Sequence, residues 1–72
     1  MLNSVDAVIE ALGGNTSAAV LAGVGGSAVS NWRSRKEIPP ENFLLFRDAL
    51  AALGKEVDPA VFGFKVSDEA RA

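Results

Sequence analysis

The chain has 72 residues, 49% of them apolar, with seven Lys or Arg against nine Asp or Glu and neither His, Cys nor Tyr. That is one domain near the lower size limit for an unstapled core; a disulfide is excluded, and a metal would have to be held by carboxylates alone, so no structural metal or cofactor is expected. The longest uncharged apolar run falls far short of the roughly 20 residues of a membrane span, and the start Met1-Leu-Asn-Ser-Val-Asp6 lacks the basic region of a secretory signal, so a cytoplasmic location is expected.

The first helix is predicted to begin at Asn3 or Ser4, with Asp6 suited to the positive end of the helix dipole. Val5, Val8, Ile9 and Leu12 recur at the spacing of one buried helical face. Gly13-Gly14 ends this helix, and Asn15 or Thr16 caps a second one running to about Ala22. Ala19 stands where two helices must cross closely. Gly23 follows four residues later, where a left-handed backbone costs any other residue about 1 kcal/mol or more. Val20 and Leu21 leave two readings open: a slight rotation that lets Leu21 fill the core, or an exposed apolar patch for a partner.

A third helix is predicted from about Gly26 to Arg35, with Ser27 as its N-cap. Val24, Val29 and Trp32 supply its apolar side, leaving Ser27, Ser30, Asn31 and Arg33 or Ser34 pointing away from the core. Ile38-Pro39-Pro40 forbids helix until a new start. Pro40 and Glu41 then open a fourth helix whose inner face is Phe43, Phe46, Ala49, Leu50 and Leu53. Asn42, Arg47, Asp48 and Ala51 read as its solvated side. Leu45 is expected to fill the core and Leu44 to be a candidate subunit contact. After Gly54, Asp58-Pro59 reads as a capped start of one short helical turn. Phe62 and Phe64 either pack back on the bundle or meet a second subunit. Residues 1–66 are expected to form the domain and residues 67–72 a flexible tail.

The net charge of −2 and isoelectric point near 4.9 disfavour nucleic acid on a simple count. The distribution says more. Residues 1–32 contain no Lys or Arg, whereas Arg33, Arg35 and Lys36 fall directly behind the outer face of the third helix. Asn31 offers a donor and an acceptor together, which matches adenine in a major groove; Ser27 and Ser30 bond to bases or phosphate with little selectivity. Arg33, Arg35 and Lys36 suit phosphates, and Arg33 or Arg35 could instead reach a guanine edge. Gly25 and Gly26 would allow close approach of backbone to DNA. A phosphate loop is the rival reading of Gly23-Val24-Gly25-Gly26, but no Lys-Ser/Thr follows, and Ala28 stands where a dinucleotide fingerprint needs glycine. An enzyme is not expected, since the usual general bases and nucleophiles reduce to scattered carboxylates and serines without a partner base.

Ala22-Gly-Val-Gly-Gly-Ser-Ala-Val-Ser-Asn-Trp32, followed by Ile38-Pro39, resembles the helix-turn-helix of phage Cro and repressor proteins and their prophage-derived relatives. The resemblance covers roughly residues 4–53, and Ser-Ala-Val-Ser-Asn-Trp is its most specific part. Ala22 departs from the pattern, which usually has leucine before the turn glycine. The resemblance implies an all-α bundle of four to five short helices. It also implies a bacterial or phage-encoded transcriptional regulator, most often a repressor, which binds double-stranded DNA as a homodimer. Gly26, Ser27, Ser30, Asn31, Arg33, Ser34, Arg35 and Lys36 are then the candidate DNA-binding residues. The rival class is a protein-interaction module on the same scaffold, antitoxin-like or polymerase-contacting, with Val20, Leu21, Leu44 or Phe62 to Phe64 as its surface.

Overall fold

A computed structural model describes residues 1–64. Four α-helices follow one another: α1 over Val5–Ala11, α2 over Asn15–Ala22, α3 over Gly26–Arg35 and α4 over Phe43–Ala52. Single 3-10 turns at Pro40–Asn42 and Pro59–Phe62 precede α4 and close the described chain. The domain is all-α, with no strand among the described residues.

Ser4 starts α1, its hydroxyl accepting from the Ala7 amide at 3.1 Å, a contact worth about 1 kcal/mol in a helix cap. The expected cap of α2 is displaced: the N-cap is Gly14, Asn15 is already helical, and neither Asn15 nor Thr16 caps it with its side chain. The second helix is the centre of the packing, touching α1, α3 and α4. Ala18 and Ala19 are both buried there, and a larger side chain at either would push the neighbouring helices apart. Gly23 ends α2 in the left-handed region at φ 72°, the conformation for which glycine carries no Cβ penalty.

The core joins Val5, Val8 and Ile9 of α1 to Val29 and Trp32 of α3, Phe46 and Leu50 of α4, and Ile38, Val57, Val61 and Phe62 of the connecting and closing segments. The four phenylalanines and the tryptophan form a continuous edge-to-face series. Trp32 meets Phe46 at 6.0 Å between centroids, Phe46 meets Phe62 at 6.0 Å, Phe62 meets Phe43 at 5.3 Å, and Phe43 meets Phe64 at 5.2 Å. Such pairs add about 0.5–1.5 kcal/mol each beyond area burial. Both closing phenylalanines therefore pack back on the bundle, although Phe64 keeps one side open.

The two ends of the chain are tied together by a contact with no local sequence signal. The Leu2 amide donates to the Glu56 carbonyl at 2.8 Å, and the Asp58 amide donates to the Leu2 carbonyl at 2.7 Å. Asp58 then caps the last 3-10 turn, accepting from the Ala60 amide at 2.9 Å. Val61 in that turn accepts from the Ile38 amide at 3.0 Å, which fixes the strap between α3 and α4.

Several expected positions differ. The 3-10 turn that precedes α4 rotates Asn42 inward, so it is buried rather than solvated. Leu53 lies just beyond the end of α4 and is 56% exposed, and Leu45 is 43% exposed where core filling was expected. A bundle this small covers only the arc of Phe43, Phe46 and Leu50. Leu21 packs on the core while Val20 stays exposed, so the two readings of that pair divide between its members. The expected tail at 67–72 lies outside the described residues.

Candidate nucleic-acid interface

At about 100° per residue, Ser27, Ser30, Asn31 and Ser34 fall within an arc of roughly 100° on α3, and all four are exposed. Val29 and Trp32 lie opposite, on the arc that meets the core, and both are buried. Packing therefore fixes the rotation of the helix, and its outer stripe is short, uncharged and hydrogen-bonding. Trp32 is sealed within the aromatic series and unavailable for stacking on a base.

The helix begins one residue before the expected cap. Gly25 is the N-cap and the Ser27 hydroxyl makes no capping bond, so Ser27 belongs to the first turn and its hydroxyl points into solvent. Because α3 starts only at Gly26, Val24 is outside the helical register; it sits exposed in the link instead of on the apolar side. A Cβ built on Gly25 or Gly26 would meet nothing within 4 Å, and neither residue has positive φ. Neither packing nor backbone geometry demands glycine at these two positions.

Of the three cations behind the stripe, the structure separates one from the other two. Arg33 is half-buried and turned toward α1, where its Nε donates to Asp6 Oδ1 at 2.8 Å and its Nη2 to Glu10 Oε2 at 3.2 Å. Its Nη1 donates to the Asn15 side-chain oxygen at the start of α2. The hydrogen bond to Asp6, reinforced by Glu10, holds the guanidinium above its ordinary pKa despite partial desolvation. Arg33 thus bridges three helices, and its guanidinium, expected on phosphate or a guanine edge, is turned toward α1 and away from the outer stripe of α3. Arg35 and Lys36 are exposed and carry no ion pair among the described residues.

Lys36 also terminates α3, with the left-handed backbone of a C-cap at φ 59°; it is the non-glycine residue with positive φ among those described. Glycine is the usual occupant of such a position. A cleft of about 290 Å³ opens beside it, lined by Ser4, Asp6, Arg33, Lys36, Ala60 and Val61. Because Asp6 and Arg33 already satisfy one another, Lys36 is the free cation this cleft presents. No cluster of three or more potential metal-ligating side chains occurs among the described residues, and no helix of the described residues is long and apolar enough to cross a membrane.

Of the candidate residues Gly26, Ser27, Ser30, Asn31, Arg33, Ser34, Arg35 and Lys36, all but Arg33 are exposed and lie along the outer side and at the two ends of α3. What sequence reasoning missed was the Arg33 clasp. An acid at positions 6 and 10, one turn apart on a helix, was its available signal, but the partner lies two helices further on. The chain matches no protein-family model, no curated protein and no solved structure.

Proposed function

We propose that the protein is a sequence-specific DNA-binding transcriptional regulator of the helix-turn-helix type, with α2 and α3 as the two helices and α3 docked in the major groove. The observation that carries this reading is the uncharged stripe Ser27-Ser30-Asn31-Ser34, held outward by the burial of Val29 and Trp32. A major groove about 12 Å wide admits one helix, and short polar side chains let it approach base edges closely. Arg35 and Lys36, at the end of the same helix, are placed to meet backbone phosphate. The bare surface at Gly25 and Gly26 supports the same geometry, since the fold itself has no use for glycine there.

Two cations at the end of α3 supply little non-specific attraction, and one short helix reads few bases. Action as a homodimer on two half-sites about 34 Å apart follows from that deficit. Leu44, 59% exposed, and Leu45 on the outer side of α4 offer an apolar surface for the second copy. Repression by occlusion of a promoter is the mode that needs nothing beyond such docking. A protein-interaction module remains the second reading, favoured by one observation: Val20 on α2 is 76% exposed.

Titration of mixed-sequence duplex DNA at several salt concentrations tests the proposal. With Arg35 and Lys36 as the phosphate contacts, log Kd should vary with log salt with a slope near 2 per protomer, at about 0.9 per neutralised phosphate. Absence of saturable binding at low salt would refute it in favour of the interaction module.

A further inference from the structure

The exposed stripe of α3 limits which base the helix can read. Serine hydroxyls donate and accept, so Ser27, Ser30 and Ser34 tolerate any base pair. The Asn31 carboxamide differs, because it holds an acceptor and a two-proton donor in one plane and so pairs with adenine N6 and N7 at once. Bidentate recognition of guanine calls for Arg or Lys, and cytosine is read by Asp or Glu. The stripe contains none of these four residue types. The nearest arginine, Arg33, is committed through all three of its guanidinium nitrogens to Asp6, Glu10 and Asn15. Arg35 lies in the last turn, about 40° around the helix from Asn31, and Lys36 lies past the helix end.

We propose that the most strongly discriminated position of the bound site is an adenine–thymine pair whose adenine is held bidentately by Asn31, and that the middle of α3 reads no guanine. This inference rests on the DNA-docking reading above. Its physical basis is the turning of Arg33 toward α1: with that guanidinium pinned, Asn31 is the one side chain of the Ser27-Ser30-Asn31-Ser34 stripe capable of two simultaneous bonds to one base, and Arg35, one turn on, stands at the C-terminal edge of that stripe.

Selection of bound duplexes from a random pool, using the whole chain, tests it. The wild type should prefer adenine at one position by roughly 5- to 150-fold over other bases. Asn31→Ala should abolish that preference and leave neighbouring positions unchanged, while its circular dichroism and thermal midpoint match the wild type. A guanine at the strongest position, an adenine preference that survives Asn31→Ala, or salt-dependent binding with no consensus would each overturn the inference and leave DNA docking standing. Failure to retain any duplex at low salt would overturn the docking reading and this inference together.

Discussion

Arg33 and Asp6, separated by 27 positions in sequence, are joined by a 2.8 Å hydrogen-bonded ion pair that ties the end of α3 to the start of α1. With Glu10 and Asn15 as the other partners, this single guanidinium bridges α3 to both α1 and α2. Its charge is paired within the molecule, whereas Arg35 and Lys36, at the end of the same helix, face outward without an ion pair among the described residues.

The two arginines of α3 are therefore expected to behave differently. Arg33→Ala should lower the thermal midpoint, and Arg33→Lys should recover only part of the loss, because an ammonium cannot span three acceptors in the plane of a guanidinium. Arg35→Ala should leave the midpoint unchanged and reduce the salt slope of DNA binding by about 1. Thermal melts by circular dichroism and binding titrations check both.

The clasp also has a defined pH behaviour. The Asp6 bond raises the pKa of Arg33 further above its already strongly basic ordinary value, so its contribution is fully present below the ordinary value and is lost only as pH rises through the raised one. The difference in midpoint between wild type and Arg33→Ala should be the same at about pH 8 and about pH 10. A difference that shrinks over this interval would mean that Arg33 is not the group responsible.

At two positions the fold would accept a better residue than the one present. Gly26 is helical with open space around its Cβ position, so Gly26→Ala should stabilise the protein by about 0.5–1 kcal/mol. Lys36 holds left-handed backbone, so Lys36→Gly should stabilise it by about 1 kcal/mol. Both variants should nevertheless bind DNA more weakly, one through lost close approach and the other through a lost phosphate contact. Urea melts and duplex titrations on the same samples would expose a gain in stability without a loss of binding, and that result would remove these positions from the interface.

Core and outer apolar residues of α4 should separate in the same way. Phe46 is fully buried and meets both Trp32 and Phe62, so Phe46→Ala should cost about 3–5 kcal/mol, enough to unfold much of a domain this small. Leu44 is 59% exposed, and Leu44→Ala should change monomer stability by less than about 0.5 kcal/mol. If α4 is the dimer surface, the same substitution shifts the sedimentation profile toward monomer.

What the sequence disclosed was whatever local chemistry controls. The Ser4 cap, the left-handed turn at Gly23, the inward Val29 and Trp32, the outward Ser30 and Asn31, and the Asp58 cap ahead of Pro59 all follow from residue type and helical spacing. Arg33 did not, because its partners are chosen by how α1 packs across the start of α2. Asn42 was misplaced since a 3-10 turn shifts the phase before α4 begins. Leu45 and Leu53 carry apolar spacing that a small bundle has no volume to use. The Leu2–Val57 pairing joins opposite ends of the described chain, and no periodic pattern signals it.

The outer face of α3 is the surface proposed to touch DNA. Amide shifts from a nitrogen-15-labelled sample, followed while a mixed-sequence duplex is added at low salt, test that contact most directly. Shifts should cluster at Gly26, Ser27, Ser30, Asn31, Ser34, Arg35 and Lys36, including the Asn31 side-chain amide, with α4 silent beyond any effect of dimerisation. Shifts confined to Val20 and its neighbours, or to Leu44 and Leu45, with α3 unmoved, would contradict the account.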